Sequence, residues 1–294
     1  MVTLASSKAS WPDLWWPAPA KLNLFLKVIG RRPDGYHQLQ TVFQLLALSD
    51  WLNFTKRDDG EIRLEGNMSD IESSDNLIVR AAKLLQVSSS TSFGAEVVIK
   101  KVLPMGAGLG GGSSDAATTL VVLNELWQLH LSLDKLAEIG LSLGADVPVF
   151  VLGKSAWAEG VGEDISPMML NERWYLVVNP GSHISTKEVF SHNRLTRDSS
   201  PITIRDFHEG QLDNDCLSVV RELDKNVDAM YQRFSIFTDV YLTGTGSSLF
   251  ATCKTREDAL KLSNKLPDNW TKWLVRGVNE SPLHKALNRF VNQV

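Results

Sequence analysis

The chain has 294 residues, 43% hydrophobic and 22% charged, with a formal net charge of −4. That composition describes a folded globular protein of one large or two modest domains, and its acidic balance argues against a general binder of nucleic acid or anionic membranes. The two cysteines, Cys216 and Cys253, form no C-x-x-C pair. A disulfide framework or cysteine zinc site is therefore not expected, and a reducing, cytoplasmic setting fits.

The opening stretch MVTLASSKASWPDLWWPAPAK holds Asp13 and no continuous apolar run, so no signal peptide is expected. No stretch reaches the roughly 18 apolar residues of a membrane-spanning helix. Residues 1–16 read as a loose lead-in, with Trp11, Trp15 and Trp16 packed on the domain surface. KLNLFLKVIG alternates about Leu22, Leu24 and Leu26 and predicts a strand. RRPDGYH is a turn, broken by Pro33 and Asp34-Gly35. TVFQLLALSDWLNFTKRDDGEIRLEG predicts a strand and then a hairpin closed near Asp59-Gly60. SSDNLIVRAAKLLQ is a helix capped by Asp75 or Asn76, with Leu77, Ile78, Ala81, Leu84 and Leu85 on one stripe.

VSSSTSFG reads as a surface loop, and AEVVIKKVL as a strand entering a glycine-rich loop. SSDAATTLVVLNELWQL predicts a deeply buried helix, begun by Ser113, Ser114 or Asp115. SLDKLAEIGLSLG is a third helix, with Ser132 as N-cap and Gly144 just past its end. ADVPVFVLGKSAWAEG turns, with Val147 held extended by Pro148, and returns as a strand. The polar GEDISPMMLNER places a soft boundary between a unit over 1–166 and one over 167–294. Beyond it, WYLVVNP is a strand and Ser185-x-x-Glu188 a capping box that opens a helix. Helices are expected near 202–208 and 216–233. VYLTG and SLFATC are strands around a small Gly/Ser turn, Thr255-x-x-Asp258 opens a helix, and WLVRGV is a strand. This alternation predicts an α+β sandwich.

The stretch PMGAGLGGGSSDAA carries five glycines between Gly106 and Gly112. Glycine is costly to order, and this loop joins a predicted strand to a predicted helix. The first N–H groups of a helix are unpaired and partly positive, and glycine lets the backbone approach an anion with no Cβ in the way. Ser113 and Ser114 add hydroxyl donors, so the stretch reads as a phosphate cradle. Walker A needs a lysine where Ser113 stands. Gly106, Gly108 and Gly111 match G-x-G-x-x-G, but Glu125 and Asp134 fall on predicted helices instead of at the end of the next strand. The H-R-D and D-F-G strings of protein kinases do not occur.

What remains, P-x-G-x-G-L-G-x-G-S-S running into a helix, resembles the phosphate loop of the GHMP kinase superfamily of small-molecule kinases. PAPAKLNLFL and LTGTGSSLFA are similar to that superfamily's first and third motifs. The resemblance implies a two-domain GHMP kinase fold: an N-terminal nucleotide-binding α/β domain over 1–166, and a C-terminal ferredoxin-like, substrate-binding α/β sandwich over 167–294. It implies ATP as phosphoryl donor, with Mg²⁺ carried by the nucleotide and no side chain named as a metal ligand. ATP is expected against Asn76, Lys101, Pro104, Met105, Gly106, Ala107, Gly108, Leu109, Gly110, Gly111, Gly112, Ser113 and Ser114.

From about residue 16 to 287, the wider set PAPAKLNLFLKVIGRRPDGYHQLQTVFQ, SSDNLIVRAA, LGADVPVF and AEGVGE is similar to one branch of the superfamily. That branch phosphorylates a cytidine diphosphate derivative of methylerythritol on the non-mevalonate route to isoprenoid precursors. The resemblance makes Asp146 the catalytic base and Lys21 the cation beside it. Asn23 shares the strand face of Lys21 and would hydrogen-bond substrate or orient the pair. Tyr36 and His37 would recognise the pyrimidine by stacking and edge hydrogen bonds, with Phe190 on its opposite face. Thr186 and Lys187 would face the substrate, and Gly244, Thr245 and Gly246 its diphosphate. Asp115, where some members carry Asn, would repel phosphate and receives no ligand role.

Two other readings stay open at this point. One is a GHMP kinase acting on a sugar, homoserine or mevalonate, and the other is a catalytically silent nucleotide-binding regulator. The expected partner is a small molecule, with neither nucleic acid nor membrane, and the protein a monomer or homodimer.

Overall fold

The structure is a computed structural model that describes residues 11–33, 35–67, 75–207 and 212–291. The expectations for residues 1–10, Asp34, Ser73, Ser74 and His208 lie outside the described residues. The N-terminal half runs β1 (Trp16–Arg31), β2 (His37–Arg57), β3 (Ile62–Gly66), α1 (Leu77–Ser89), β4 (Gly94–Lys100), α2 (Gly111–Leu126), α3 (Leu133–Leu141), α4 (Val147–Leu152), β5 (Ala156–Gly160) and β6 (Asp164–Pro167). There follow β7 (Trp174–Asn179), α5 (Thr186–Ser191), β8 (Asp213–Asn214), α6 (Leu217–Leu223), α7 (Lys225–Phe234), β9 (Tyr241–Leu242), β10 (Leu249–Cys253), α8 (Arg256–Ser263), β11 (Thr271–Val278) and α9 (Pro282–Val291). No helix among the described residues is long and apolar enough to cross a membrane.

Strand β2 is the spine of the molecule. Along one edge it pairs antiparallel with β1, from Trp16↔Leu52 to Arg31↔His37. Its other edge is shared by β5, by β11 at Leu45 and Leu46, and by β4. Strand β11 carries the sheet on into β7, β10 and β9. Three apolar clusters hold this mixed α/β architecture. Helices α1 to α4 close over β2 and β4 through Leu52, Phe54, Leu120, Leu123 and Phe150. Helices α6 to α8 close over β7 and β10 through Leu176, Val178, Val227, Met230 and Phe234. Between them Leu22, Phe25, Leu46, Tyr175 and Phe250 form a third cluster.

Several local expectations change. Trp16 is buried in the first cluster, where Trp11 packs edge-on against Phe290 of α9 at 4.7 Å. Strands β2 and β3 form no hairpin: β4 lies between them, antiparallel to β2 and parallel to β3. Helix α1 is the crossover that a parallel β3–β4 pair requires, and it runs on through Ser89 into the expected loop. Helix α2 begins at Gly111, not at the serines, because Gly110 takes the left-handed conformation at its N-cap (φ 73°).

Helix α3 ends at Leu141 with Ser142 as C-cap, so Gly144 lies further on. Val147 is not extended: it opens α4, whose first turn tolerates Pro148 because an N–H there would have no helical partner. The chain returns as strand only at Ala156. In place of a helix near 202–208, a turn at Thr203 is closed by the Asp206 carboxylate, which accepts from Thr203 N and Oγ1. The helix expected over 216–233 breaks into α6 and α7 at Asp224, whose extended backbone lets its side chain cap α7 through Asn226 N and Val227 N.

Candidate active site

The glycine loop follows β4 and leads into α2. At Gly108 (φ +75°) a Cβ would stand 2.0 Å from the carbonyl oxygen of Thr243, and at Gly110 it would meet the Phe150 ring at 2.8 Å. The loop is clamped from both halves of the chain. Thr243 Oγ1 donates to Gly108 O at 3.0 Å, Ser248 N to Ala107 O at 3.2 Å, and Lys21 N to Leu109 O at 3.0 Å. The first ladder bond of α2 is Ser114 N to Gly110 O at 2.8 Å. The N–H groups of Gly111, Gly112 and Ser113 precede that ladder and form an anion-binding end.

Beneath this end lies a cavity of about 460 Å³. It is lined by Lys21, Asn23, Pro104, Gly106, Ala107, Gly108, Gly110, Gly111, Gly112, Ser113, Asp146, Thr186, Phe190, Gly244, Thr245 and Gly246, among others. Lys21 and Asn23 sit on β1 between two register shifts, Pro19/Lys21 and Asn23/Phe25. Such bulges re-aim side chains, and here Lys21 and Asn23 both line the cavity. The Lys21 ammonium is buried, donates to Asn23 Oδ1, and lies 3.3 Å from Asp146 Oδ2; the Asp146 side chain is 33% exposed. Asn23 is fixed in turn: its Nδ2 donates to Thr41 Oγ1 at 2.8 Å, and its backbone N to Thr243 Oγ1 at 3.0 Å. Thr186 and Thr245 share a hydroxyl–hydroxyl bond of 2.9 Å.

A second cavity, about 380 Å³, adjoins the first, and Leu77, Gly106 and Gly112 line both. Asn76, Lys101, Leu103, Met105 and Asp115 complete much of its wall. Asn76 caps α1 by accepting from Ile78 N at 2.9 Å. The Lys101 ammonium binds Asp115 Oδ2 at 2.7 Å and also Asp50 Oδ2. Asp50 Oδ1 accepts from Leu103 N at 2.8 Å, which ties this cluster to the start of the glycine loop. Burial opposes the charge on Lys101, but the two carboxylates outweigh it and raise its pKa. Burial pushes Asp115 up to about 7, with Lys101 pulling it down and Asp50 pushing it up. Asp115 is therefore one of three members of a buried ion cluster under the loop, with Lys101 and Asp50, which accounts for a carboxylate at this anion-binding helix end. Leu109 and Ser114 are fully buried and line neither cavity.

At the far end, the aromatic residues are arranged differently from a simple Tyr36–Phe190 sandwich. His37 stacks on Phe190, with centroids 5.1 Å apart and planes at 27°. Tyr36 is 66% exposed and lines a neighbouring hollow, which shares Gly144, Ala145 and Val161 with the main cavity. Arg197 donates from Nε to His37 Nε2 at 3.1 Å. Burial, with the Arg197 and Arg31 guanidinium groups, lowers the His37 pKa. Lys187 is exposed at the start of α5.

Sequence reasoning missed Thr41, Asp50, Arg197 and Thr243. Thr243 stands directly before Gly244 in LTGTGSSLFA and was within reach of motif reading. Thr41, Asp50 and Arg197 act through partners 18, 51 and 160 positions away, a separation that no local pattern encodes.

Residues 76–154 match the family described as GHMP kinases N terminal domain. A 4-diphosphocytidyl-2-C-methyl-D-erythritol kinase of Chromohalobacter salexigens is 50% identical over 277 residues, covering 92% of this chain and 93% of that protein. One of Methylococcus capsulatus is 50% identical over 284 residues, covering 96% and 98%. A crystal structure of a 4-(cytidine 5'-diphospho)-2C-methyl-D-erythritol kinase superposes with a TM-score of 0.77 at 30% identity, covering 90% of this chain and all of that one. With such identity across nearly the whole length, the chain belongs to the 4-diphosphocytidyl-2-C-methyl-D-erythritol kinase family of the GHMP kinases.

Proposed function

We propose that this protein transfers the γ-phosphoryl group of ATP to the 2-hydroxyl of 4-diphosphocytidyl-2-C-methyl-D-erythritol, giving the 2-phosphate and ADP on the non-mevalonate route to isopentenyl diphosphate. The observation that carries the reading is the Lys21–Asp146 pair, 3.3 Å apart in the cavity that the phosphate loop borders. Family membership supports the same reaction. The adenosine part of ATP occupies the Asn76–Lys101 cavity, and the phosphates pass Gly106 and Gly112 toward Lys21. The α2 end and Ser113 hold them. The acceptor lies between Asp146 and the Gly244–Gly246 turn, with its base toward Tyr36 and His37 at the start of β2 and Phe190 on α5.

Phosphoryl transfer depends on positioning and charge neutralisation more than on covalent chemistry. The acceptor oxygen bonds to the γ-phosphorus, the bond to the bridging oxygen of ADP breaks, and the hydroxyl proton passes to the Asp146 carboxylate. A carboxylate is a weak base for an alcohol, and the Lys21 ammonium stabilises the alkoxide as the proton leaves. Asn23 holds that ammonium against rotation. The oxygen donors at the cavity, the Ser113 hydroxyl and the partly exposed Asp146 carboxylate, suit a hard cation that keeps most of its waters. When bound with ATP, Mg²⁺ supplies neutralisation of phosphate charge. The setting is cytoplasmic in this reading, and both cysteines are free and buried. Incubation with ATP, Mg²⁺ and the cytidylylated acceptor, followed by ³¹P NMR, is expected to show a new phosphomonoester resonance in step with ADP. ADP formation without that resonance would contradict the assignment.

A further inference from the structure

We propose that Arg197 is a positioning residue for the acceptor end of the site, holding His37 as the neutral Nδ1–H tautomer stacked on Phe190. Arg197 lies in the irregular segment between α5 and β8. Its Nη1 donates to Leu195 O at 3.1 Å, and its Nη2 to Phe190 O at 3.0 Å and His192 O at 2.7 Å. These carbonyls lie at and just beyond the C-terminal end of α5, where the helix dipole favours a cation. Three bonds fix the planar guanidinium, and its Nε–H then meets His37 Nε2 at 3.1 Å.

A guanidinium has donors and no acceptor, and it does not deprotonate in proteins. His37 Nε2 must therefore be the acceptor. That leaves the ring proton on Nδ1, and an imidazolium would set N–H against N–H. The charged groups facing the ring, Arg197 from this segment and Arg31 from the end of β1, both oppose a second proton; α5 presents the uncharged Phe190 ring.

Arg197 thus holds both halves of the ring stack, the Phe190 backbone and the His37 side chain. Phe190 lines the main cavity, so this contact sets the wall against which the acceptor base packs. The imidazole offers one donor, Nδ1–H, to an acceptor atom on a base edge. The effect on catalysis rests on the function proposed above, whereas the tautomer does not.

Two measurements test this. In ¹⁵N–¹H correlation spectra of histidine-labelled protein, with His37 assigned by its loss in His37→Gln, wild type is expected to show the Nδ1–H tautomer. In Arg197→Gln and Arg197→Lys the ring should become a tautomer mixture. The KM for the cytidylylated acceptor should rise about tenfold, while kcat and the KM for ATP stay within about twofold. Arg194→Gln, which removes a surface pair with Glu222, should change neither readout. A wild-type Nε2–H tautomer, or an unchanged acceptor KM in both Arg197 variants, would overturn the proposal. If wild type does not turn over the acceptor at all, the proposed function fails, and the wild-type tautomer alone decides the role of Arg197.

Discussion

As the proposed base, Asp146 has to meet the acceptor hydroxyl and yet be held by a cation, and its partial exposure beside a buried Lys21 suits both needs. Asp146→Asn keeps the shape and removes the proposed base. It is expected to retain ATP affinity by calorimetry and to lose about 10²–10⁴-fold in kcat. Tyr36→Ala should raise the acceptor KM about tenfold or more and leave that for ATP alone, since stacking is worth roughly 1–3 kcal/mol per base. The Lys101 cluster makes a pH prediction. Asp115 titrates near 7 in the folded chain against 3.8 ordinarily. Between those values the folded protein keeps a proton that the unfolded chain releases, so stability falls as pH rises through that window and levels above it. Urea midpoints at pH 5 and pH 8 should show this slope in wild type and a flatter one in Asp115→Asn. At this scale the sequence was most legible where spacing alone decides. Lys21 and Asn23 share a face because they are two apart on a strand, whereas the partners that fix them come from β2, from the turn before β10 and from the start of α4.

Helix ends show where local chemistry suffices. Asn76, Ser132, Ser185 and Thr255 each accept the expected backbone N–H. Asn76→Ala should cost about 1 kcal/mol in chemical denaturation and, because Asn76 also lines the cavity proposed for the nucleotide, should raise the KM for ATP. A cap lost without a change in that KM would separate the two roles. Local reading failed where an element depends on something distant. The start of α2 is set by Gly110, which takes a left-handed backbone where Phe150 and Lys21 also leave no room for a Cβ. Strand β3 turns to β4 instead of β2 because β4 occupies the β2 edge. Neither fact is written in the residues of the element itself.

Across the whole molecule, the two halves of the chain meet at β2–β11 and at the crossing of the glycine loop with the Gly244 turn. There a Cβ on Gly244 would stand 3.1 Å from Gly108 Cα. The site exists only while that crossing holds. Gly108→Ala adds a Cβ against the Thr243 carbonyl at a positive φ, and should lower the thermal midpoint and weaken ATP binding together; a change in neither would remove the crossing from the account. The most direct test of the central claim is ADP release with ATP, Mg²⁺ and a panel of acceptors: the cytidylylated methylerythritol, mevalonate, homoserine and galactose. Turnover of the first alone, lost in Asp146→Asn, is the predicted result. Turnover of galactose or mevalonate without the first, or full activity in Asp146→Asn, would contradict it.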